Sequence, residues 1–542
     1  MAVLRLPAEI TERTVRAVLD ERAESVGGVT ALIATSGATG AETSLAYGEL
    51  HAAAQRFSAA LAGAGVGPGD RVAIMLENDA ALEAHVAYHA SHRLGAINVP
   101  INTRYVQREL LYVLGFSKPS AVVFNSRFAE VLADPELREA LGEAALIEVG
   151  GDSGLGVPWQ EAVDGAGPAK PPAALAEDDD ADWIFTSGTT GNPKAVAISH
   201  AQSVACGHQA GPPFRLVPGA VFQSFAPFFT STGCHTNLLG SLVAGCTYVV
   251  DPEFHVDGTL ERMRRHATTT AFLINPVLQL IFDRRGEEAL TEGGFPDLKR
   301  LCYGAQVGGR ELVDRILEVG RKMGIELVNI YGLTESGNAG LMLVPEDQEE
   351  ALRRIGQHGM SIGRDPFHPW IEFKVCDAED REVAPGEPGE LRMRQPSTMS
   401  RYVDNPEATA AVRRGDWLLT GDVCTVDEEG FVYYVDRDKQ IIRRAGLNVS
   451  SAEVEMVLLA HPSVAEAAVV PIDDPVVGED IRAVIVARGD APDPAEVIAF
   501  CAERLADYKV PARVDVVASL PRNAMGRVLK GVLTGRGESL RG

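Results

Sequence analysis

Apolar and polar positions along the chain follow two periods in turn. Short apolar runs, Arg71-Val72-Ala73-Ile74-Met75, Ala96-Ile97-Asn98-Val99-Pro100 and Ala121-Val122-Val123-Phe124, read as buried strands. Between them the spacing turns helical. Ile10, Val15, Val18 and Leu19 predict a helix from about residue 9 to residue 26. Tyr47-Gly48-Glu49-Leu50 leads into an Ala-rich helix through Leu61, and Gly65 to Asp70 makes a turn before the strand at Arg71. A further helix passes through His85 and His89. Val86 stands where the metalloprotease pattern H-E-x-x-H needs its glutamate, so these histidines read as structural. Strand–helix alternation of this kind predicts an α/β fold with parallel layers. It returns near the end of the chain, with strands at Ala467 to Pro471, Ala483 to Ala487 and Arg513 to Val517 and a helix through Leu505.

Leu238 to Val250 comes nearest to a membrane span. Gly, Ser and Thr interrupt it, it falls short of the roughly 18 apolar residues a span requires, and it reads as a helix followed by a buried strand. Gly150 to Asp182 is rich in Gly, Pro, Ala and Asp and reads as a surface connection. It delivers the chain to its most informative segment, Thr186-Ser187-Gly188-Thr189-Thr190-Gly191-Asn192-Pro193-Lys194. Apolar runs on both sides, Trp183-Ile184-Phe185 and Ala195-Val196-Ala197-Ile198, predict strand, loop, strand. Glycines let backbone N–H groups turn toward one point, and the hydroxyls and the lysine complete an anion cradle fitted to a polyphosphate. It is not a Walker A loop, because Pro193 precedes the lysine and no helix follows. Taken alone, it also fits a Ser/Thr/Gly hairpin turn without a ligand.

The segment S-G-T-T-G-x-P-K resembles the phosphate loop of the adenylate-forming enzymes, the superfamily of acyl- and aryl-CoA synthetases, peptide-synthetase adenylation domains and firefly luciferase. Further blocks match in the family's order over nearly the whole chain. Arg300-Leu301-Cys302-Tyr303-Gly304-Ala305-Gln306 resembles the strand and turn that stack on adenine, commonly G-G-A-P, with Tyr303 for the first glycine and Gln306 for the proline. Asn329-Ile330-Tyr331-Gly332-Leu333-Thr334-Glu335-Ser336 is the second strong block. The resemblance implies that Asn329 and Gly332 line the nucleotide, Tyr331 faces adenine, Thr334 meets the α-phosphate and Glu335 holds Mg²⁺ on the phosphates. Trp417-Leu418-Leu419-Thr420-Gly421-Asp422 matches W-x-x-T-G-D, which implies a ribose contact for Asp422. Arg437 is then expected at ribose or phosphate.

The same resemblance implies a large multi-subdomain domain of layered α/β sheets with a small β-barrel over residues 1–437, and a small mobile α+β domain over 438–542, hinged near Lys439. The loop around Ala445-Gly446-Leu447-Asn448-Val449 would enter the site for a second half-reaction, with Arg444, Gly446 and Leu447 near coenzyme A. The acid pocket is expected from Phe229, Thr230, His235, Gly304, Leu333 and Asn338; Thr230 stands where many relatives carry histidine. A lone helix histidine such as His235 also reads as a packed residue.

Composition narrows the setting. The 542 residues carry a formal net charge of −25, which argues against nucleic acid and anionic membranes as partners. The 7 cysteines form no C-x-x-C, so neither a disulfide framework nor a zinc site is suggested, and a reducing cytoplasm is expected. Met1 to Gly28 lacks the apolar centre of a signal peptide. The oligomeric state is not readable.

One departure stands out near the end, Pro521-Arg522-Asn523-Ala524-Met525-Gly526-Arg527-Val528-Leu529-Lys530. Relatives usually place lysine after that glycine, where it bridges carboxylate and α-phosphate; here the residue is Arg527. Three readings stay open: Arg527 does the lysine's work with altered geometry, it suits an unusual acid such as nitrite, or adenylation is impaired and the chain only binds nucleotide. The resulting expectation is an ATP-dependent acid–thiol ligase. Lys194, Thr334, Glu335 and Arg527 are its catalytic residues, ATP, Mg²⁺ and coenzyme A its cofactors, and a small-molecule acid its substrate. Activation of nitrite for diazotisation, or amide formation, is the alternative. No carrier domain follows Gly542, so a carrier-protein acceptor would come from another chain.

Overall fold

Branched apolar residues at alternate and consecutive strand positions build two large sheets, and helices with little polar surface fill the space between them. The computed structural model describes residues 13–37, 39–166, 175–186, 193–304, 310–358, 361–437, 441–444, 447–474, 478–505, 507–522 and 528–534, and of residues 355–358, 436, 437, 441, 443, 447, 448 and 478 the backbone alone.

The first sheet has eight strands in the order Arg401–Tyr402, Lys194–Ser199, Asp180–Thr186, Ile97–Pro100, Arg71–Met75, Ala121–Asn125, Ala145–Val149 and Val157–Pro158. Arg71–Met75 pairs in parallel with both Ile97–Pro100 and Ala121–Asn125, as the predicted crossovers require. Asp180–Thr186 and Lys194–Ser199 form an antiparallel hairpin, and Arg401–Tyr402 adds antiparallel to its outer edge.

The second sheet has nine strands in the order Asp365–Pro366, Leu341–Leu343, Glu326–Tyr331, Arg300–Gly304, Thr270–Phe272, Val221–Ser224, Thr247–Val250, Thr30–Thr35 and Glu42–Ala46. One core joins the layers: Val72, Ile74 and Val123 pack with Phe57, Tyr88, Leu238 and Leu242. Each such side chain contributes about 1.5–3 kcal/mol by leaving water. The helix Ala81–Leu94 runs through this core and is buried on nearly every side, so its histidines and its arginine, His85, His89, His92 and Arg93, are buried as well.

The stretch Leu238 to Val250, predicted as helix then strand, holds the end of Thr232–Leu239, the helix Gly240–Ala244 and the strand Thr247–Val250. Thr232–Leu239 is a π-helix, a wider coil than the sequence pattern distinguishes and one often found beside functional sites. The first described helix is Val15–Val26, capped by Thr14; the earlier part of the expected span lies outside the described residues.

A third, antiparallel sheet comprises Ser361–Gly363, Val432–Arg437, Trp417–Val426, Gly389–Arg394 and Glu372–Cys376 in that order, with Arg413–Arg414 beside Trp417–Val426. Where a small barrel is expected, the pairing among the described residues runs from Ser361–Gly363 to Glu372–Cys376 without joining these ends. The fourth sheet belongs to the smaller C-terminal domain: Leu447–Ser450, Ile441–Arg444, Gly478–Ala487 and Val464–Asp474, with Arg513–Val517 parallel to Gly478–Ala487. Its own core gathers Ile442, Val449, Val454, Leu458, Val469, Ile485 and Val497. Ser450 Oγ donates to Val435 O across the join at 2.6 Å. All seven cysteines are buried and free.

Candidate active site

The two strands of the first sheet's hairpin flank the segment predicted as a loop. Thr186 and Lys194 are register partners at its mouth, and Thr186 Oγ1 donates to Lys194 O at 3.4 Å. Ser187, Gly188, Thr189, Thr190 and Gly191 lie outside the described residues, as do Ala305, Gln306, Lys439, Gly446 and Arg527, and of Arg437 and Leu447 the backbone alone is described.

The strand Glu326–Tyr331 of the second sheet ends facing the same region. Gly332 follows, and a Cβ there would sit 2.7 Å from Asn338 O, so the turn closes only on glycine. Thr334–Ser336 then makes one 3₁₀ turn. Ser336 Oγ donates to Leu333 O and Ala339 O at 2.9 and 2.6 Å. From the segment before Tyr402, Gln395 Nε2 and Ser397 Oγ donate to Ser336 O at 2.5 and 2.8 Å, and Met399 N donates to Glu335 O at 2.9 Å. The backbone under Thr334 and Glu335 is therefore fixed from two sides. The Tyr402 hydroxyl donates to Glu335 Oε1 at 2.7 Å, and Lys194 Nζ lies 4.9 Å from the centre of the same ring. Sequence reasoning missed Gln395, Ser397 and Tyr402; they stand in no phosphate-like or acidic block, and only the tertiary contacts of this segment bring them in.

Asp422 lies on the third sheet, directly across from Arg437 in the antiparallel pair. Its Oδ2 accepts a 2.5 Å hydrogen bond from Tyr331 OH. Burial first, then the Asp422 charge, pushes the Tyr331 hydroxyl well above its ordinary value, so it stays a donor. Gly304, with φ +138°, closes the strand beside it; a Cβ would meet Ile330 O at 2.6 Å. Tyr303 and Asn329 line a small cavity with Gln348, whose Oε1 accepts from Tyr303 OH at 2.5 Å. Tyr303 in place of glycine is thus a buried anchor of this strand.

Phe229 and Thr230 are buried, and Leu333 and Asn338 half-buried. The Thr230 hydroxyl donates to Pro227 O at 2.8 Å and accepts from Gly233 N at 2.9 Å, so it caps the turn that opens the π-helix. Asn338 Nδ2 donates to Thr236 Oγ1 at 2.9 Å and ties this helix to the Thr334–Glu335 turn. His235 is fully buried with both ring nitrogens engaged, Nδ1 with Ser231 Oγ and Nε2 with Asp182 Oδ2, each at 3.0 Å. Asp182, on the strand leading to the phosphate loop, also accepts from Tyr88 OH at 3.1 Å and Ser203 Oγ at 2.9 Å, and lies 3.3 Å from His92 Nε2. Burial raises its pKa, but His92 and His235 outweigh that and hold the carboxylate well below its ordinary range.

A family model described as AMP-binding enzyme matches residues 19–403, and one described as AMP-binding enzyme C-terminal domain matches residues 453–527. The chain belongs to the AMP-binding enzymes. A methyl-dioxo-octahydroindenyl-propanoyl:CoA ligase of Mycobacterium tuberculosis is 34% identical over 96% of this chain and 98% of its own. A 2-succinylbenzoate–CoA ligase of Geobacillus kaustophilus is 32% identical over 89% and 91%. Among solved structures, the o-succinylbenzoate CoA synthetase of Bacillus subtilis with its acyl-adenylate intermediate superposes with a TM-score of 0.83, at 28% identity, over 98% of this chain and 99% of that one. The present AMP-binding enzyme is accordingly an adenylate-forming ligase with a large N-terminal and a smaller C-terminal domain, as its sequence leads one to expect.

In the smaller domain of this AMP-binding enzyme, Arg444 and Lys530 are both committed locally. Arg444 pairs with Asp480 Oδ1 at 2.9 Å and donates to the carbonyls of Tyr508 and Val510, both at 3.1 Å. Lys530 Nζ bonds Ser451 Oγ at 2.6 Å and Glu455 Oε1 at 2.7 Å.

Proposed function

We propose that this enzyme activates a carboxylic acid with Mg-ATP and passes the acyl group to the thiol of coenzyme A, its large domain ending at residue 437. The observation that carries the reading is the convergence of Lys194, Glu335 and the Tyr331–Asp422 pair on one region from three different sheets. In the first step a carboxylate oxygen attacks the α-phosphorus, an acyl–phosphate bond forms and the bond to pyrophosphate breaks. In the second step the thiol sulfur attacks the acyl carbon, its proton leaves and AMP departs. The protein's part is positioning and charge stabilisation.

Each role follows from chemistry. Lys194, at the mouth of the hairpin, takes the β- and γ-phosphates with the loop after Thr186. Tyr331 covers adenine, and Asp422, held by the Tyr331 hydroxyl, takes the ribose hydroxyls with Arg437 opposite. Thr334 offers its hydroxyl to the α-phosphate. Arg527 supplies charge as the adenylate forms, and the smaller domain turns about Lys439 to bring the segment of Arg444, Gly446 and Leu447 to the site. Glu335 fits a hard cation: Oε1 is occupied by Tyr402, and Oε2 makes no hydrogen bond among the described residues. Mg²⁺, when bound, neutralises phosphate charge there.

A fatty acid–[acyl-carrier-protein] ligase of Streptomyces coeruleorubidus, 31% identical over 92% of this chain, favours a second acceptor, a carrier protein in trans. Incubation with Mg-ATP and a panel of acids, including nitrite with aromatic amines, with and without coenzyme A or a loaded carrier protein, separates the readings by mass spectrometry. AMP together with an acyl-CoA supports the proposal. AMP with no thioester under either acceptor overturns the thiol step, and no AMP with any acid overturns adenylation.

A further inference from the structure

Glu335 lies on the turn that follows a strand of the second sheet and Lys194 begins a strand of the first, and nothing in either local segment orients one toward the other. Tyr402 touches both. The short strand Arg401–Tyr402 pairs antiparallel with the strand that begins at Lys194, with Tyr402 opposite Val196. Residues two apart on a strand share a face, so the ring lies beside Lys194. Ser400 N donates to Ala197 O at 2.8 Å and Val403 N to Ala195 O at 2.9 Å, which locks the register on both sides. Tyr402 N donates to Thr409 Oγ1 at 3.0 Å, and Thr409 Oγ1 donates to Asn405 O at 2.8 Å, which holds the following turn. The side chain is buried at 5% exposure, and its hydroxyl donates to the Glu335 carboxylate.

We infer that Tyr402 is the positioning residue that sets the metal-holding carboxylate Glu335 and the phosphate-loop lysine Lys194 in mutual register, its hydroxyl fixing the first and its ring face the second. The inference rests on the metal and phosphate roles proposed above. The two contacts do different work. The phenol donates to Oε1 and restricts rotation of the carboxylate, which leaves Oε2 directed at one place instead of sweeping several. The ring face attracts the Lys194 ammonium and restrains a long flexible side chain at the mouth of the hairpin. Tyr402 touches neither ATP nor metal in this account and acts through its two partners.

The test separates hydroxyl from ring. Tyr402→Phe keeps the ring and removes the donor; the Mg²⁺ concentration for half-maximal adenylation should rise about tenfold, with most of kcat recovered at saturating Mg²⁺. Tyr402→Leu removes both contacts, and its KM for ATP should rise about threefold further at saturating Mg²⁺. Thermal melting of each variant without ligand reports folding separately. A Tyr402→Phe enzyme whose melting temperature drops while its Mg²⁺ response stays that of the parent overturns the inference, because a purely structural tyrosine behaves so. Glu335→Gln is the control. If it leaves the Mg²⁺ response unchanged, the metal role of Glu335 is what fails. If it shifts that response, adding Tyr402→Phe to it should shift the response no further; independent shifts that multiply sink the coupling.

Discussion

The Tyr331 hydroxyl donates to Asp422 Oδ2 across two sheets, and this bond joins the end of the strand Glu326–Tyr331 to the strand Trp417–Val426. The bond fixes the orientation of the carboxylate to which the ribose contact is assigned. Tyr331→Phe should raise the KM for ATP about tenfold, the usual worth of a hydrogen bond to a charged group, and change kcat little. Asp422→Ala removes the acceptor itself and should lower kcat/KM for ATP at least about a hundredfold. Steady-state pyrophosphate release at varied ATP checks both; equal, small effects of the two substitutions contradict a ribose role for Asp422.

Buried histidines make folding stability sensitive to acid. Burial holds His85 and His200 near pKa 3, against an ordinary 6.5, and holds His89 well below its ordinary value. The unfolded chain therefore binds protons below about pH 6.5 that the folded chain refuses, so stability is full above that pH and falls as pH drops toward 3. Each histidine contributes up to about 1.4 kcal/mol per pH unit in that window. Thermal melts should show a steep loss between about pH 6.5 and 5. His85 packs against the rings of Phe228 and Tyr248, and His85→Leu should make the profile shallower; an unchanged slope contradicts its neutral burial.

Asp182 lies where two of these effects meet. Its depressed pKa means that its ionised form stabilises the fold above the ordinary carboxylate range and that this support is lost as pH falls below it. Asp182→Ala strands His235, Tyr88 and Ser203 without their shared acceptor, removes the carboxylate beside His92, and should cost about 3–5 kcal/mol by denaturant unfolding. A loss below about 1 kcal/mol would falsify the reading of this carboxylate as the hub of the buried network.

The hairpin around Thr186 and Lys194, the Tyr331–Glu335 turn and Asp422 were legible because each sits in a contiguous block whose residue types state their chemistry. Tyr402 was not, since Glu335 lies 67 residues away and the contact exists only through strand pairing. His235 reads from the sequence both as a pocket residue and as a packed one; its partner Asp182 is 53 residues earlier, at the end of a segment that reads as a surface connection. The buried Tyr303 and the π-helix from Thr232 were equally hidden, because apolar periodicity reports burial but not the pitch of a helix. Layer order was more accessible, since strand–helix alternation leaves few parallel arrangements.

Arg527 and Lys530 are the two cations that could serve adenylation near the end of the chain, and the structure commits one of them. Lys530 is bonded to Ser451 and Glu455 on the helix Ser451–Leu459 of the smaller domain. Its removal should loosen that domain and leave the chemistry of the first step largely intact. Arg527→Ala should lower acyl-adenylate formation about a hundredfold to a thousandfold, the usual cost of deleting one group that meets developing charge. Arg527→Lys should recover most of that rate, because the charge is kept although the planar fork is lost. The second step, started from supplied acyl-adenylate, should be slowed little in any Arg527 variant. Single-turnover formation of acyl-adenylate, measured beside thioester formation from added adenylate, distinguishes the cases. Loss of the first step in Lys530→Ala, with Arg527→Ala unaffected, would reverse the assignment.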